Sequence, residues 1–532
     1  MFYNRDNRNG NSGRAVYPST AQPLFKRTVS ASMERASGVL MPVSSLPGPY
    51  GIGGFGWNAY DFVDFLASCK QHYWQILPLT TTSYGDSPYQ SFSARAGNPN
   101  FIDFAELIEA GYLEQRDIDG VYLGSDPSNV DYGAIFGGRR QILDRAAERF
   151  AADKPADFDD FIQANEDWLI PYCEFMTVKE ECSLKAFWEW PAELRTRGEA
   201  SAKVCADHPA RMLYHQMTQY FFDRQWSRLK AYANERDILI IGDLPIYVSR
   251  DSVEMWATPE LFKIDAAGNP VSVAGTPPDQ FSATGQYWGN PIYDWDAMEA
   301  DGFSWWEGRI RAALDMYDVI RLDHFRGSRP IGRCRSPRLI RPTVRGRRVP
   351  ASSSSRHSRK SSARCPSSPR TWLPHPRRID MRDNSGFPGM KILQFAFEGT
   401  NSYYLPHNYI ANTVAYVGTH DNETARGWFE GTATPRQREQ TALYTHQQAG
   451  EPIADALNRT IAASVSDTCV YTMQDLLNLG NEARINTPAT LGGNWTWRML
   501  DGAITRELEH KLTDWTETYF RIPSEAEIEL PQ

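Results

Sequence analysis

The chain has 532 residues, 41% hydrophobic and 23% charged, ordinary values for a globular protein with one large domain or two to four smaller ones. No run of 18 apolar residues occurs, which excludes a membrane-spanning helix, and the polar start has no apolar core of a secretory signal. The formal charge of −9 hides a split: residues 328–378 hold 15 Lys and Arg with no Asp or Glu, leaving 41 bases against 65 acids elsewhere.

The cysteines, Cys69, Cys173, Cys182, Cys205, Cys334, Cys365 and Cys469, are odd in number. They show neither metal spacing nor a CxxC pair, which suits reduced thiols in a cytosol. Aromatics make up 12% of the chain, with 16 Trp. Ring faces that stack on sugar C–H faces would use such residues, and so would an aromatic core.

Taken in order, residues 1–36 are polar with scattered Arg and read as a disordered leader. Residues 37–43 read as a strand that runs into a Gly/Pro loop, and 57–69 have the apolar spacing of a helix. A second strand, 73–79, opens into a polar loop containing Tyr84-Gly85-Asp86-Ser87-Pro88-Tyr89-Gln90. Residues 103–236 are mostly helical in pattern, notably 138–153 and 157–182, too long for one crossover helix and read as an inserted helical subdomain. The apolar run 238–248 is the third strand, followed by a loop at 275–291 dense in Gly, Pro, amides and aromatics. A helix at 303–317, with Trp305 and Trp306 as packing residues, leads into Val319-Ile320-Arg321-Leu322-Asp323-His324-Phe325-Arg326-Gly327.

That stretch is an apolar strand, 318–324, ending in charge. In parallel α/β folds the C-terminal ends of strands carry the chemistry. Asp323 is the candidate nucleophile and Arg321 its charge partner; a buried structural ion pair is the alternative. Strands are expected again at 391–397, 413–419 (ending at His420-Asp421) and 470–476, before a last helix at 500–519. Seven strands alternating with helices imply a (β/α)8 barrel of the TIM type, with large helical and loop insertions. A closed barrel needs its full set of strands, and the place for the missing fifth is 325–390.

The chain resembles the amylomaltases, disproportionating 4-α-glucanotransferases of the α-amylase clan. The likeness rests on Ser44-Ser45-Leu46-Pro47-Gly48, Gly85-Asp86-Ser87-Pro88-Tyr89, Gly242-Asp243-Leu244-Pro245, Gly285-Gln286-Tyr287-Trp288-Gly289-Asn290-Pro291, Arg321-Leu322-Asp323-His324, Gly386-Phe387-Pro388-Gly389-Met390-Lys391 and Gly418-Thr419-His420-Asp421-Asn422. These stand in family order from residue 37 to about residue 500. The resemblance implies that Asp323 forms a covalent glycosyl-enzyme, that Arg321 keeps it ionised, and that Asp421 stabilises the oxocarbenium-like transition state. It further implies that His324 and His420 bind the same sugar, that Tyr89 stacks under it, and that Ser87 belongs to the substrate loop. Asp279, Gln286 and Trp288 would shape the acceptor side. Asp243 is read as barrel support or an ion site. The substrates would be α-1,4-glucans and glucose, with no cofactor, metal, membrane or nucleic acid, in the cytoplasm.

The likeness fails at the leader and at 328–378. Retaining transfer needs a second carboxyl as acid/base, which the family carries as a Glu in a Pro-Ile-Ile-Ala-Glu-Asp-Leu-like fifth strand. No Glu occurs between residues 328 and 385; the basic tract holds 11 Ser and one aromatic, Trp372. A frame shift would explain this. Codons CCC ATC ATC GCC GAG GAC CTG, read one base later, give Pro-Ser-Ser-Pro-Arg-Thr-Trp, which is Pro366 to Trp372. Dropping one base from a Phe-Glu-Ala-Tyr-Trp-like run after Gly327 gives Ser328-Arg329-Pro330-Ile331-Gly332 in the same way. The tract is therefore expected to be out of frame and disordered, and the chain as written inactive and poorly folded. The other readings are a functional basic insert, an α-glucan hydrolase with the same nucleophile, or a non-catalytic glucan-binding or basic interaction protein.

Overall fold

The structure, a computed structural model, describes residues 33–83, 85–276, 285–323, 386–399 and 402–523. Seven parallel strands form one sheet: β1 (Ala36–Leu40), β2 (Tyr73–Gln75), β3 (Leu239–Leu244), β6 (Val319–Leu322), β7 (Gly389–Ile392), β8 (Thr413–Tyr416) and β9 (Thr468–Thr472). The remaining pair, β4 (Val273–Thr276) and β5 (Gln286–Pro291), makes a separate antiparallel hairpin. The fold class is α/β, of the TIM-barrel type. Every expected strand is present, but shorter. Pro245 follows β3, and Pro lacks the N–H that a parallel ladder needs. The run expected as strand 391–397 pairs only to Ile392, and Leu393–Glu398 turn into a 3-10 helix. Likewise β9 stops at Thr472, and Met473–Leu476 are helical.

The sheet order is β6-β3-β2-β1-β9-β8-β7. Its edges are thus β6 and β7, the fourth and sixth strands of a barrel counted along the chain. The place for a fifth strand, and the whole basic tract 328–378, lie outside the described residues, as do residues 1–32 of the expected leader.

Helices cover the outside. Trp57–Ser68 buries Tyr60, Phe62, Val63, Phe65 and Leu66, the residues that give its helical spacing. Helical segments fill Phe104 to Asn234, and the 26-residue helix Pro209–Asn234 packs against Tyr132–Ala152, Glu166–Glu181 and Trp57–Ser68. The expected helix 157–182 is two, Phe158–Ala164 and Glu166–Glu181, broken at Asn165. The last helix, Arg506–Thr518, is tied down by buried Arg521, whose guanidinium donates to the carbonyls of Ile461, Ala462, Ser464 and Ser466. These carbonyls include the unsatisfied end of helix Ile453–Ala462. No helix among the described residues is long and apolar enough to cross a membrane.

Candidate active site

Strand register builds the centre of the site. Asp243 on β3 stands directly opposite Arg321 on β6. Arg321 and Asp323, two residues apart, leave the chain on the same face. The guanidinium therefore sits between two carboxylates. Its Nη1 binds Asp243 Oδ2, and its Nη2 donates to Asp323 Oδ1 at 3.0 Å. The Asp243 side chain is fully buried, whereas that of Asp323 keeps 31% of its surface exposed. Asp323 is thus the carboxylate open to a ligand. Burial raises the Asp243 pKa, against the pull of Arg321. Burial also acts to lower the Arg321 pKa, but Asp243 and Asp323 hold it well above its usual value. Gly242 is required here by space: a Cβ would lie 2.1 Å from the buried ring of Tyr317.

The loop after β2 brings Tyr89 to this ion pair. Its hydroxyl donates to Asp243 Oδ2 at 2.6 Å and lies 3.0 Å from His420 Nε2. With its single proton given to Asp243, the phenol oxygen accepts from His420, which fixes the Nε2–H tautomer. Burial and then the Asp243 charge push the Tyr89 pKa well above its ordinary value, so the phenol stays neutral. The Tyr89 and His420 rings are stacked at 5.4 Å, and Trp495 packs on both at 5.8 and 6.0 Å. Ser87 shapes this turn, its Oγ accepting from Tyr89 N–H at 3.3 Å.

Beyond the end of β8, His420 is buried and Asp421 has 30% of its side chain exposed. Asn486 Nδ2 donates to Asp421 Oδ1 at 2.7 Å, and Arg484 Nη2 donates to the Asp421 carbonyl at 2.8 Å. Neither residue, nor Trp495, stands out from the sequence as a site residue. The signal was present in the Gly, amide and Trp density of residues 486–497, where Ala489, Gly492, Gly493 and Trp495 all have positive φ.

The stretch 275–291 is not simply a loop, as the sequence suggested. Gln286 and Trp288 lie on β5, and Trp288 Nε1 donates to Gln286 Oε1 at 3.0 Å. Gln90, next to Tyr89, donates to the Trp288 carbonyl at 3.3 Å and to Asn290 Oδ1 at 3.0 Å, docking the hairpin onto the Tyr89 loop. Tyr89, Arg321, Asp323, His420 and Asp421 are thus brought together, with Ser87 on the Tyr89 loop and Gln286 and Trp288 on β5 beside them. Asp279 and His324 lie outside the described residues. No cluster of three or more His, Cys, Asp or Glu suited to a metal occurs among the described residues.

A sequence profile described as 4-alpha-glucanotransferase matches residues 41–331 and 375–504. The chain belongs to this family. A 4-alpha-glucanotransferase of Streptococcus pneumoniae is 46% identical over 520 residues, spanning 92% of this chain and 98% of the relative. One from Thermus thermophilus is 40% identical, spanning 89% of this chain and 97% of the relative. Among solved structures, the amylomaltase of Streptococcus agalactiae in complex with acarbose superposes with a TM-score of 0.82 at 41% identity, covering 92% of this chain and all of that one. The Corynebacterium glutamicum amylomaltase, at 16% identity and TM-score 0.64 over 91% of this chain and 75% of its own, shares the fold. The glucanotransferase profile leaves residues 332–374 unmatched, inside the basic tract.

Proposed function

We propose that this 4-α-glucanotransferase site transfers an α-1,4-glucan segment to the 4-hydroxyl of a second glucan or of glucose by double displacement, and that the chain as written lacks one of the two carboxyl groups this requires. The observation that carries the first part is the Asp243–Arg321–Asp323 array. It leaves the partly exposed carboxylate of Asp323 beside a stack of Tyr89, His420 and Trp495. Asp323 attacks C1 of the donor, the bond to the leaving 4-oxygen breaks, and a β-glycosyl ester forms on Asp323. Asp421, held by Asn486, faces the positive charge that grows on the ring. Tyr89 and His420 line that sugar, with His324 and Ser87 as further contacts. Gln286 and Trp288 on β5, with Asp279, cover the acceptor side and favour a sugar hydroxyl over water. The substrates are maltooligosaccharides, a class to which the acarbose bound by the Streptococcus agalactiae relative is akin. The cytosol is the proposed place of action, as the odd number of cysteines without metal spacing or a CxxC pair suggests.

Three facts support the second part. No Glu occurs between residues 328 and 385, the glucanotransferase profile skips 332–374, and the sheet edges β6 and β7 flank that same interval. Without acid catalysis the leaving oxygen gains no proton, a loss of about 10²–10⁴-fold in rate. The chain as written binds maltooligosaccharides but turns them over poorly. The test is maltotriose incubated with this chain and with its frame-restored counterpart. Glucose plus longer maltodextrins from the restored protein alone supports the reading. Brisk disproportionation by the chain as written overturns the missing carboxyl, and glucose and maltose without longer products overturns transfer in favour of hydrolysis.

A further inference from the structure

Asp475 is a buried carboxylate that the reaction above does not use. It stands three residues past β9, on the C-terminal face of the sheet, with 1% of its surface exposed. Its Oδ1 accepts the backbone N–H of Ala425 at 2.7 Å, and the Thr472 side chain is its other partner. Ala425 begins the short helix Ala425–Gly427, directly after the segment that carries His420 and Asp421.

We propose that Asp475 is a positioning residue: its carboxylate clamps the far end of the His420–Asp421 segment and so sets where Asp421 meets the sugar. This rests on the reading of Asp421 as a sugar-facing group. The near end of the segment is held by β8, and the middle by Gln394 Nε2 on the Glu423 carbonyl at 2.8 Å and by Asn486 on Asp421. Asp475 fixes Ala425 by a charged acceptor, and a charge-assisted bond to an N–H is roughly twice as strong as a neutral one.

The cost of that charge is visible. Burial, set against the bonds from Ala425 and Thr472, raises the Asp475 pKa to about 6. Charged side chains on the elements beside it include Arg426 and Glu423 on the clamped segment, Asp455 on the helix Ile453–Ala462 and Lys511 on the last helix. Lys511 is spent on Asp455 and on the Leu476 carbonyl. None of the four is a cause of the shift. Because the folded-state pKa lies above the ordinary carboxylate value, the ionised group lowers stability at neutral pH, and stability returns as pH falls below about 6. The clamp moves the other way, since the protonated acid is a weaker acceptor. An acceptor that served stability alone would be better as the isosteric amide.

The test uses the full chain, Asp475→Asn and Asp475→Ala. Hydrogen exchange of residues 418–428, corrected for intrinsic rate, is followed between pH 7.5 and pH 5 together with the melting temperature and the affinity for acarbose. In the parent, protection of the segment and acarbose affinity should each fall by about threefold or more across that window. In Asp475→Asn the step should vanish while the melting temperature at pH 7.5 stays equal or rises; in Asp475→Ala the segment should be unprotected at every pH. An unchanged pH step in Asp475→Asn overturns the proposal, as does a variant that alters melting alone. Loss of acarbose binding by the parent at all pH values, with the exchange results as expected, would instead sink the glucan-site reading and leave the clamp standing.

Discussion

At the scale of single residues, the site turns on one guanidinium shared by two unequal carboxylates. Asp243 is buried and further bound by Tyr89, so it cannot reach a ligand; Asp323 has one oxygen on Arg321 and part of its surface free. Asp323→Asn in the frame-restored protein should lower disproportionation of maltotriose by more than about 10³-fold while acarbose affinity, read by calorimetry, stays within several-fold. Arg321→Ala should act differently, on stability as well as rate. It strands the Asp243 charge in the interior, an effect of about 3–5 kcal/mol, seen as an earlier urea midpoint with unchanged slope. Arg321→Lys should rescue only part of this, because a point charge cannot replace a planar fork that binds two acids at once. Tyr89→Phe removes the bond to Asp243 and the acceptor of His420 but keeps the stack. It should lower kcat more than it raises KM, measured by initial rates on maltotriose.

At the scale of elements, the sequence exposed what depends on local pattern and hid what depends on register. The seven sheet strands are visible because strands buried on both faces read as apolar runs, such as Ile238 to Ile241. The hairpin β4–β5 is not, because Gly275, Gly285, Gly289, Asn290 and Pro291 read as loop residues and the strand identity comes from pairing and from docking on Gln90. Asp323 announced itself as charge at a strand end. Asp243, the other half of the array, read as barrel support or an ion site, because its partner is 78 positions away and only the β3–β6 register joins them. Asn486, Arg484 and Trp495 went unassigned for the same reason: the Gly, amide and Trp density of residues 486–497 marks a structured loop but does not say that it reaches across to residues 420 and 421. One prediction belongs to this scale. Gly242→Ala drives a Cβ into the Tyr317 ring between β3 and the helix Ser304–Met316. It should cost about 1–3 kcal/mol by overpacking, measured by urea unfolding, and should lower activity through the displaced Asp243 next to it.

At the scale of the molecule, the sheet order and the proposed frame shift point to the same interval. Among the described residues, sheet neighbours run in chain order from β1 through β2 and β3 to β6 on one side and from β9 back to β7 on the other, so a further strand would fit between β6 and β7. A parallel strand there would be buried on both faces and should be apolar, whereas residues 328–378 carry 15 bases and no acid. Under the proposed frame shift, codons for an apolar strand with a Glu at its end would read as Pro366 to Trp372, and the profile match resumes at residue 375. Strand pairing, catalysis and coding therefore stand or fall together. Sequencing the gene across this interval should reveal compensating one-base changes near the codons for Gly327 and for the end of the basic tract. Restoring the frame should raise the melting temperature by supplying a strand that pairs with β6 and β7, and should raise disproportionation by about 10²–10⁴-fold. Changing the restored Glu, encoded by the bases now read as Pro369-Arg370, to Gln should then remove the gain in rate but keep the gain in melting temperature. An Arg/Ser frame that is intact in the gene, or a restored protein whose Glu→Gln variant stays fully active, would break the proposed link between the interval flanked by β6 and β7 and a missing carboxyl.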